Sequence, residues 1–139
     1  MNKGCLISAG VFLGLLVLCC GGGSFFLYQN IGPGLLVAIQ LDVDEYRKKH
    51  PEISVAPTNE AWTTALTDRT NGLPNQKNWE SLAQLGKGRL IDIPYQNPLR
   101  FVPRPDGSVM VVSNGKDGKP DTADDETSEA ALAKFGGRK

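Results

Sequence analysis

Four carboxylates gather in one short loop. The stretch Asn114-Gly115-Lys116-Asp117-Gly118-Lys119-Pro120-Asp121-Thr122-Ala123-Asp124-Asp125 follows the apolar run Val109 to Val112. Its glycines and proline bend the backbone while Asp117, Asp121, Asp124 and Asp125 are brought together beside carbonyls that no ladder uses. Such a set suits a hard cation. Calcium takes six to eight oxygens from carboxylates, carbonyls and water at roughly 2.3 to 2.6 Å and tolerates irregular geometry. Metals that prefer thiolate or imidazole find no ligands here. The loop is not an EF-hand: counted from Asp117, Lys119 and Thr122 fall where that motif needs an acid or amide and a glycine.

Little else in the chain could do chemistry. His50 is the only histidine, and no Ser or Cys has an evident base partner beside it. Its place at the end of a predicted helix suits a cap better than a general base. Asp124 and Asp125 are neighbours in a flexible loop, which does not hold an acid and a base at a set separation. Gly21 to Gly23 lie inside an apolar run rather than after a strand, so they make no phosphate loop. Catalysis, and with it a small-molecule substrate, has no support.

The elements that must hold the loop begin with an apolar N-terminus. No charged residue stands between Lys3 and Asp42, and Cys5 to Leu27 is almost wholly apolar, enough for a helix to cross a hydrocarbon core of roughly 30 Å. Lys3 alone precedes it, which places the N-terminus in the cytoplasm by the positive-inside bias and exports the rest. A cleaved signal would be cut near Gly21-Gly22-Gly23-Ser24, but the apolar run resumes at Phe25-Phe26-Leu27-Tyr28, favouring a retained anchor. A lipoprotein signal acylated at Cys20 is the third reading, and it lacks the usual small residue just before the cysteine.

Beyond the anchor, Leu35, Leu36, Ile39, Val43 and Tyr46 fall on one helical stripe. Pro33 between Gly32 and Gly34 predicts a kink or brief break. Arg47-Lys48-Lys49 before Pro51 suits a helix C-terminus. A long helix with a membrane half and an amphipathic half is therefore expected as the spine. A second helix starts at Thr58 or Asn59, carries Trp62, Ala65, Leu66 and Arg69, and stops at Gly72. A third runs from Asn78 through Trp79, Leu82 and Leu85 to Gly86. Trp62 and Trp79 are expected in the core.

After Gly88 the pattern turns to strand: Leu90-Ile91, Leu99 to Val102, and Ser108 to Ser113. Pro105-Asp106-Gly107 joins the last two as a turn, giving an antiparallel hairpin. The acidic loop follows, and Ser128 to Phe135 makes a last short helix or a loose tail.

The totals fit an exported α+β domain. In 139 residues the formal net charge is zero and the pI about 6.6, which argues against a general electrostatic grip on nucleic acid or anionic lipid. From Asp117 to Glu129 six acids face one base. All three cysteines, Cys5, Cys19 and Cys20, lie in the apolar segment, where packing accounts for Cys19 and Cys20, so no disulfide can brace the folded part. An ion that binds only the folded state would then matter by mass action.

The order of these parts resembles the major pseudopilin of bacterial type II secretion systems over about residues 43–125. That family has an Asp-Pro-aromatic-Gly-Asn-Pro motif before its sheet. Asp92-Ile93-Pro94-Tyr95-Gln96-Asn97-Pro98 is similar, with Ile93 inserted and Gln96 in place of the glycine. It also has a Ser-x-Gly-x-Asp-Gly turn, which Ser113-Asn114-Gly115-Lys116-Asp117-Gly118 matches at every fixed position. The resemblance implies a pilin-like fold, Asp117 and an acid of the Asp124-Asp125 pair as side-chain calcium ligands, and the Asn114 carbonyl as a backbone one. Asp121 joins them by placement alone. At the N-terminus the family has a cleaved glycine, a Phe and a Glu five residues into the mature helix. Here Gly4 is followed by Cys5, and Ala9 stands where Glu would be.

The expectation is thus a single-pass inner-membrane protein with a periplasmic domain, serving type II secretion or a pilus-like assembly through contacts with other pilin-like or secretion subunits, possibly its own copies. Its parts are an anchor at 1–30, a spine at 31–50, a domain at 51–126, and a tail or short helix at 127–139. The alternative is a non-polymerising envelope protein or lipoprotein carrying the same calcium-binding domain.

Overall fold

The computed structural model describes the backbone of residues 23–93 and 95–136 and the side chains of residues 31–93 and 95–135. Most of the anchor, with Cys20, lies outside the described residues. Among the described residues no helix is long and apolar enough to cross a membrane.

The architecture is α+β. Helix α1, Gly23–Lys49, is followed by α2, Asn59–Thr67, and α3, Gln76–Leu85. A hairpin of β1, Arg100–Pro103, and β2, Val109–Ser113, leads through the acidic loop to β3, Glu126–Thr127, and α4, Ser128–Gly136. The sheet has the order β1-β2-β3 and is antiparallel throughout.

Helix α1 is the element on which the others pack. Leu36, Ile39, Val43 and Tyr46 from the predicted stripe are buried, and Leu35 packs at their margin. The helix runs through Pro33 without the expected break. Arg47, Lys48 and Lys49 close it, beside the partial negative charge of its last carbonyls. Because its side chains form one wall of the core, residues 31–49 belong to the same folding unit as the domain that follows.

Helix α2 begins where expected, with the Thr58 side chain accepting from the Ala61 N–H. It ends at Thr67, and a turn of 3-10 helix, Arg69–Asn71, carries the chain to Gly72. Trp62 stacks on Phe101 with ring centroids 5.7 Å apart and meets the edge of Tyr46 at 5.9 Å. Trp79 of α3 donates from Nε1 to the buried Asp42 of α1 at 2.6 Å. Both tryptophans are core residues. His50 follows α1 directly and its ring lies 4.8 Å from that of Tyr46.

Leu90-Ile91 departs from expectation. It forms a single bridge, Ile91 to Pro98, instead of a strand. Backbone bonds from the Leu99 N–H to the Leu90 carbonyl at 3.0 Å and from the Asp92 N–H to the Asn97 carbonyl at 2.9 Å flank it. A side chain adds to them: Asn59 donates from Nδ2 to the carbonyls of Leu90 and Leu99 and accepts from the Leu90 N–H, each within 2.8 Å. The hairpin turn is as expected, with the Arg104 N–H on the Ser108 carbonyl at 2.8 Å and the Asp106 carboxylate accepting from Ser108. Gln40 of α1 acts as a surrogate strand along β2. Its Nε2 donates to the Val109 carbonyl at 2.8 Å, and its Oε1 accepts from the Val111 N–H at 2.9 Å and the Ser128 hydroxyl at 2.6 Å.

Candidate functional site

The acidic loop leaves β2 at Ser113 and returns to the sheet as β3, where Glu126 pairs with Ser113. Its first turn is tied to the segment ahead of the hairpin. The Ser113 hydroxyl donates to Asp92 Oδ2 at 2.5 Å and accepts from the Gly115 N–H at 3.1 Å. Asn97 donates from Nδ2 to the Gly115 carbonyl at 2.7 Å, while Asp92 Oδ1 accepts from the Asn97 N–H at 2.9 Å. Asp92 is 3 % exposed, and burial pushes its carboxyl above the usual carboxylate range against the opposing pull of its Ser113 and backbone bonds. Gln96, in this segment, has left-handed backbone with φ of 60°.

Two glycines permit the turn. Gly115 has φ of 58°, and a Cβ there would lie 2.3 Å from the Asp124 carbonyl oxygen. Gly118 has φ of 66°, with Asn97 at 3.0 Å from its missing Cβ. At Gly115, where the close neighbour is backbone, no other residue type meets both demands without moving the loop.

The carboxylates then fold inward. The Asp117 N–H donates to Asp124 Oδ2 at 3.0 Å, and Asp117 Oδ1 accepts from the Lys119 N–H at 2.9 Å. Asp121, at φ of 64°, donates from its N–H to Asp125 Oδ2 at 2.8 Å. Around the Thr122 hydroxyl stand Asp124 Oδ1 at 2.7 Å and Asp117 Oδ1, Asp125 Oδ1 and the Lys119 carbonyl at 3.2 Å each. A hydroxyl has one proton to donate. It can serve one of these four acceptors at a time, so the other three oxygens face it without its proton, although Asp117 Oδ1 also accepts from the Lys119 N–H and the Asp125 carboxylate also meets Arg100. The Thr122 bond and the Asp117 N–H hold the Asp124 carboxyl below the usual range.

One base enters the cluster from outside the loop. Arg100 of β1 donates from Nε to Asn114 Oδ1 at 2.6 Å, from Nη2 to Asp125 Oδ2 at 2.7 Å and from Nη1 to Asp121 at 3.2 Å. Asp125 is held against it with its side chain 13 % exposed, whereas the Asp121 side chain is 86 % exposed.

The five predicted residues are thus brought together unequally. Asp117, Asp124 and Asp125 converge on Thr122; Asp121 points outward and meets Arg100; Asn114 uses its side chain on Arg100. Among the described residues no group of three or more His, Cys, Asp or Glu is spaced to close directly around a metal ion. The carboxylates instead surround a hydroxyl, which would have to turn or yield its place for them to share a cation.

Arg100 and Thr122 are the members that sequence reasoning missed. Arg100 sits in the strand expected at Leu99 to Val102, fourteen residues before Asn114, and nothing in that pattern points to the loop. Thr122 lies inside the acidic run, where the sequence shows it only as standing in the place of an EF-hand glycine. Compared with known proteins, the chain matches no family model, no curated protein and no solved structure.

Proposed function

We propose that the chain is a membrane-anchored, pseudopilin-like structural protein of type II secretion or a pilus-like assembly, whose extracytoplasmic domain is braced by calcium at the acidic loop. Its fold is read as pilin-like: an apolar helix leading into α1, short helices against it, and a small sheet closed by the loop. The domain contributes no catalytic group and works through contacts with neighbouring subunits.

The observation that carries this reading is the hydrogen-bonded union of two segments that resemble family motifs. Asp92 to Pro98 and Ser113 to Gly118 meet through the Asp92–Ser113 and Asn97–Gly115 bonds. Each fixed position of the second motif has a physical task. Ser113 links the segments, Gly115 admits the Asp124 backbone, Asp117 gathers the loop, and Gly118 makes room for Asn97. At Gln96, where the family carries glycine, the backbone is left-handed.

The donor set fits calcium. Asp117, Asp124 and Asp125 would supply carboxylate oxygens, the Lys119 carbonyl lies among them, and the Asn114 carbonyl is the further backbone oxygen suggested by the resemblance. All are hard oxygen donors at the surface of a domain that lacks disulfides. A cation there would satisfy the oxygens that the Thr122 proton cannot reach. Arg100 neutralises the Asp121–Asp125 side, so ion and base divide the charge of the loop.

Cys5 in place of Phe, and Ala9 in place of Glu, favour the second reading, a non-polymerising envelope protein with the same domain, held by its helix or by lipid on Cys20. Mass spectrometry of the mature N-terminus separates the two. Cleavage after Gly4 with methylation supports the assembly subunit; an intact Met1 or an acylated Cys20 supports the solitary protein.

A further inference from the structure

We propose that the end of the domain around residue 31 is a membrane-docking base, in which Ile31, Tyr95 and Phe135 lie in the headgroup layer of the bilayer that the N-terminal segment spans. The proposal rests on the reading of Cys5 to Leu27 as a membrane anchor.

These three side chains are large, apolar or aromatic, and open to solvent at 42 %, 49 % and 43 %. They come from three separate parts of the chain: Ile31 stands on α1 itself, Phe135 meets α1 at Gly34, and Tyr95 lies two residues beyond Ile93, which meets α1 at Gly32. The Ile93 carbonyl, two residues before Tyr95, lies 2.7 Å from where a Cβ of Gly32 would stand. Phe135 at the end of α4 lies 3.9 Å from the corresponding position of Gly34. Ile31, Gly32 and Gly34 span less than one turn of about 5.4 Å pitch. Helix α4 runs back along α1, with Ser128 at Gln40 and Phe135 at Gly34, so its last turn ends at this level.

The occupant follows from where the apolar run stops. Leu27 is four residues before Ile31, and α1 is already helical from Gly23. At 1.5 Å per residue the two are about 6 Å apart along the axis. The headgroup layer on each side of a hydrocarbon core is itself roughly 5 to 7 Å thick. If Leu27 ends the hydrocarbon crossing, Ile31 falls within that layer, with Phe135 at Gly34 and Ile93, two residues before Tyr95, at Gly32 beside it. Aromatic rings with one polar and one apolar side favour this zone. No acid of α1 opposes it, since the first, Asp42, is eleven residues beyond Ile31 and buried against Trp79.

The test uses the full chain reconstituted in phosphatidylethanolamine–phosphatidylglycerol vesicles, with and without bromine near the top of the acyl chains. Tyr95→Trp and Phe135→Trp each add an emitter at the proposed base. Ile53→Trp, also exposed and just past the opposite end of α1, is the control. The parent protein supplies the background from Trp62 and Trp79. Loss of most of the added emission at positions 95 and 135, and none at 53, is expected.

Chain that floats with the vesicles yet keeps its emission at both positions overturns the docking base and leaves the anchor standing. Chain that does not float removes the anchor reading and the base with it. Equal quenching at all three positions means that the domain lies on its side, which also overturns the proposal. Unquenched emission that shifts to the blue as protein density rises assigns this face to a second copy and not to lipid.

Discussion

The Ser113 hydroxyl stands 2.5 Å from Asp92 Oδ2, joining the end of β2 to the segment ahead of the hairpin inside a buried pocket. A carboxylate so enclosed is desolvated, and its folded-state pKa lies above the ordinary 3.8. The folded state therefore holds this proton to higher pH than the unfolded chain does. The stability this gives is complete below the ordinary value and is lost as pH rises through the raised one. Asp92→Asn removes the titration. The stability difference, parent minus variant, should fall as pH is raised through that window, as read from urea midpoints. A difference that rises with pH would contradict the assignment.

Gln96 occupies left-handed backbone with φ of 60°. A Cβ in that region crowds the following carbonyl, and relief of the strain outweighs the added freedom of glycine in the unfolded chain. Gln96→Gly should therefore stabilise the domain, by about 0.5 to 1 kcal/mol. Chemical denaturation measures it directly, and a lower midpoint would show that this turn is not strained.

Gly115→Ala should do the reverse. The new methyl would meet the Asp124 carbonyl at 2.3 Å and displace the returning arm of the loop. A loss of about 2 kcal/mol or more is expected, in the range of other substitutions that force strained backbone apart. Gly88→Ala is the comparison, since it also has positive φ but nothing within 4 Å of the added methyl. It should cost less.

Arg100 reaches Asn114, Asp121 and Asp125 at once. Arg100→Met leaves the same aliphatic stem without the charge, so Asp121 and Asp125 lose their counter-ion. The variant should be destabilised more in chelator than in millimolar calcium, because a bound cation supplies part of the missing charge. Thermal melts in both buffers give the two losses. Equal losses would separate the base from the ion.

How much of this was legible in the sequence depended on whether a residue's role was local. The stripe from Leu36 to Tyr46, a helix start at Thr58 or Asn59 and the Pro105-Asp106-Gly107 turn were readable, because spacing and turn chemistry fix them within a few residues, whereas Ser128 to Phe135 reads as either a short helix or a loose tail and proves to be a helix. The strand expected at Leu90-Ile91 is reduced to one bridge with Pro98, and Asn59, thirty-one residues from Leu90, bonds the Leu90 backbone there in a way that spacing could not show. The two-residue strand Glu126–Thr127 was too short and polar to announce itself, and exists through pairing with Val112 and Ser113. The site followed the same rule. Carboxylates and glycines could be seen gathering in one loop, whereas the approach of Arg100, Asp92 and Asn97 depended on the completed sheet.

Calcium bracing of residues 113–125 should show in the thermal midpoint of the full chain in detergent, with millimolar calcium and with chelator. Extracytoplasmic sites bind at about 10⁻⁴ to 10⁻³ M. At roughly ten times such a Kd the folded state gains about 1.4 kcal/mol, a rise of several degrees for a domain of this size. The account predicts that rise for the parent protein and its loss in Asp124→Asn, which keeps the Thr122 contact but removes a ligand charge. The same midpoint in calcium and in chelator would contradict it.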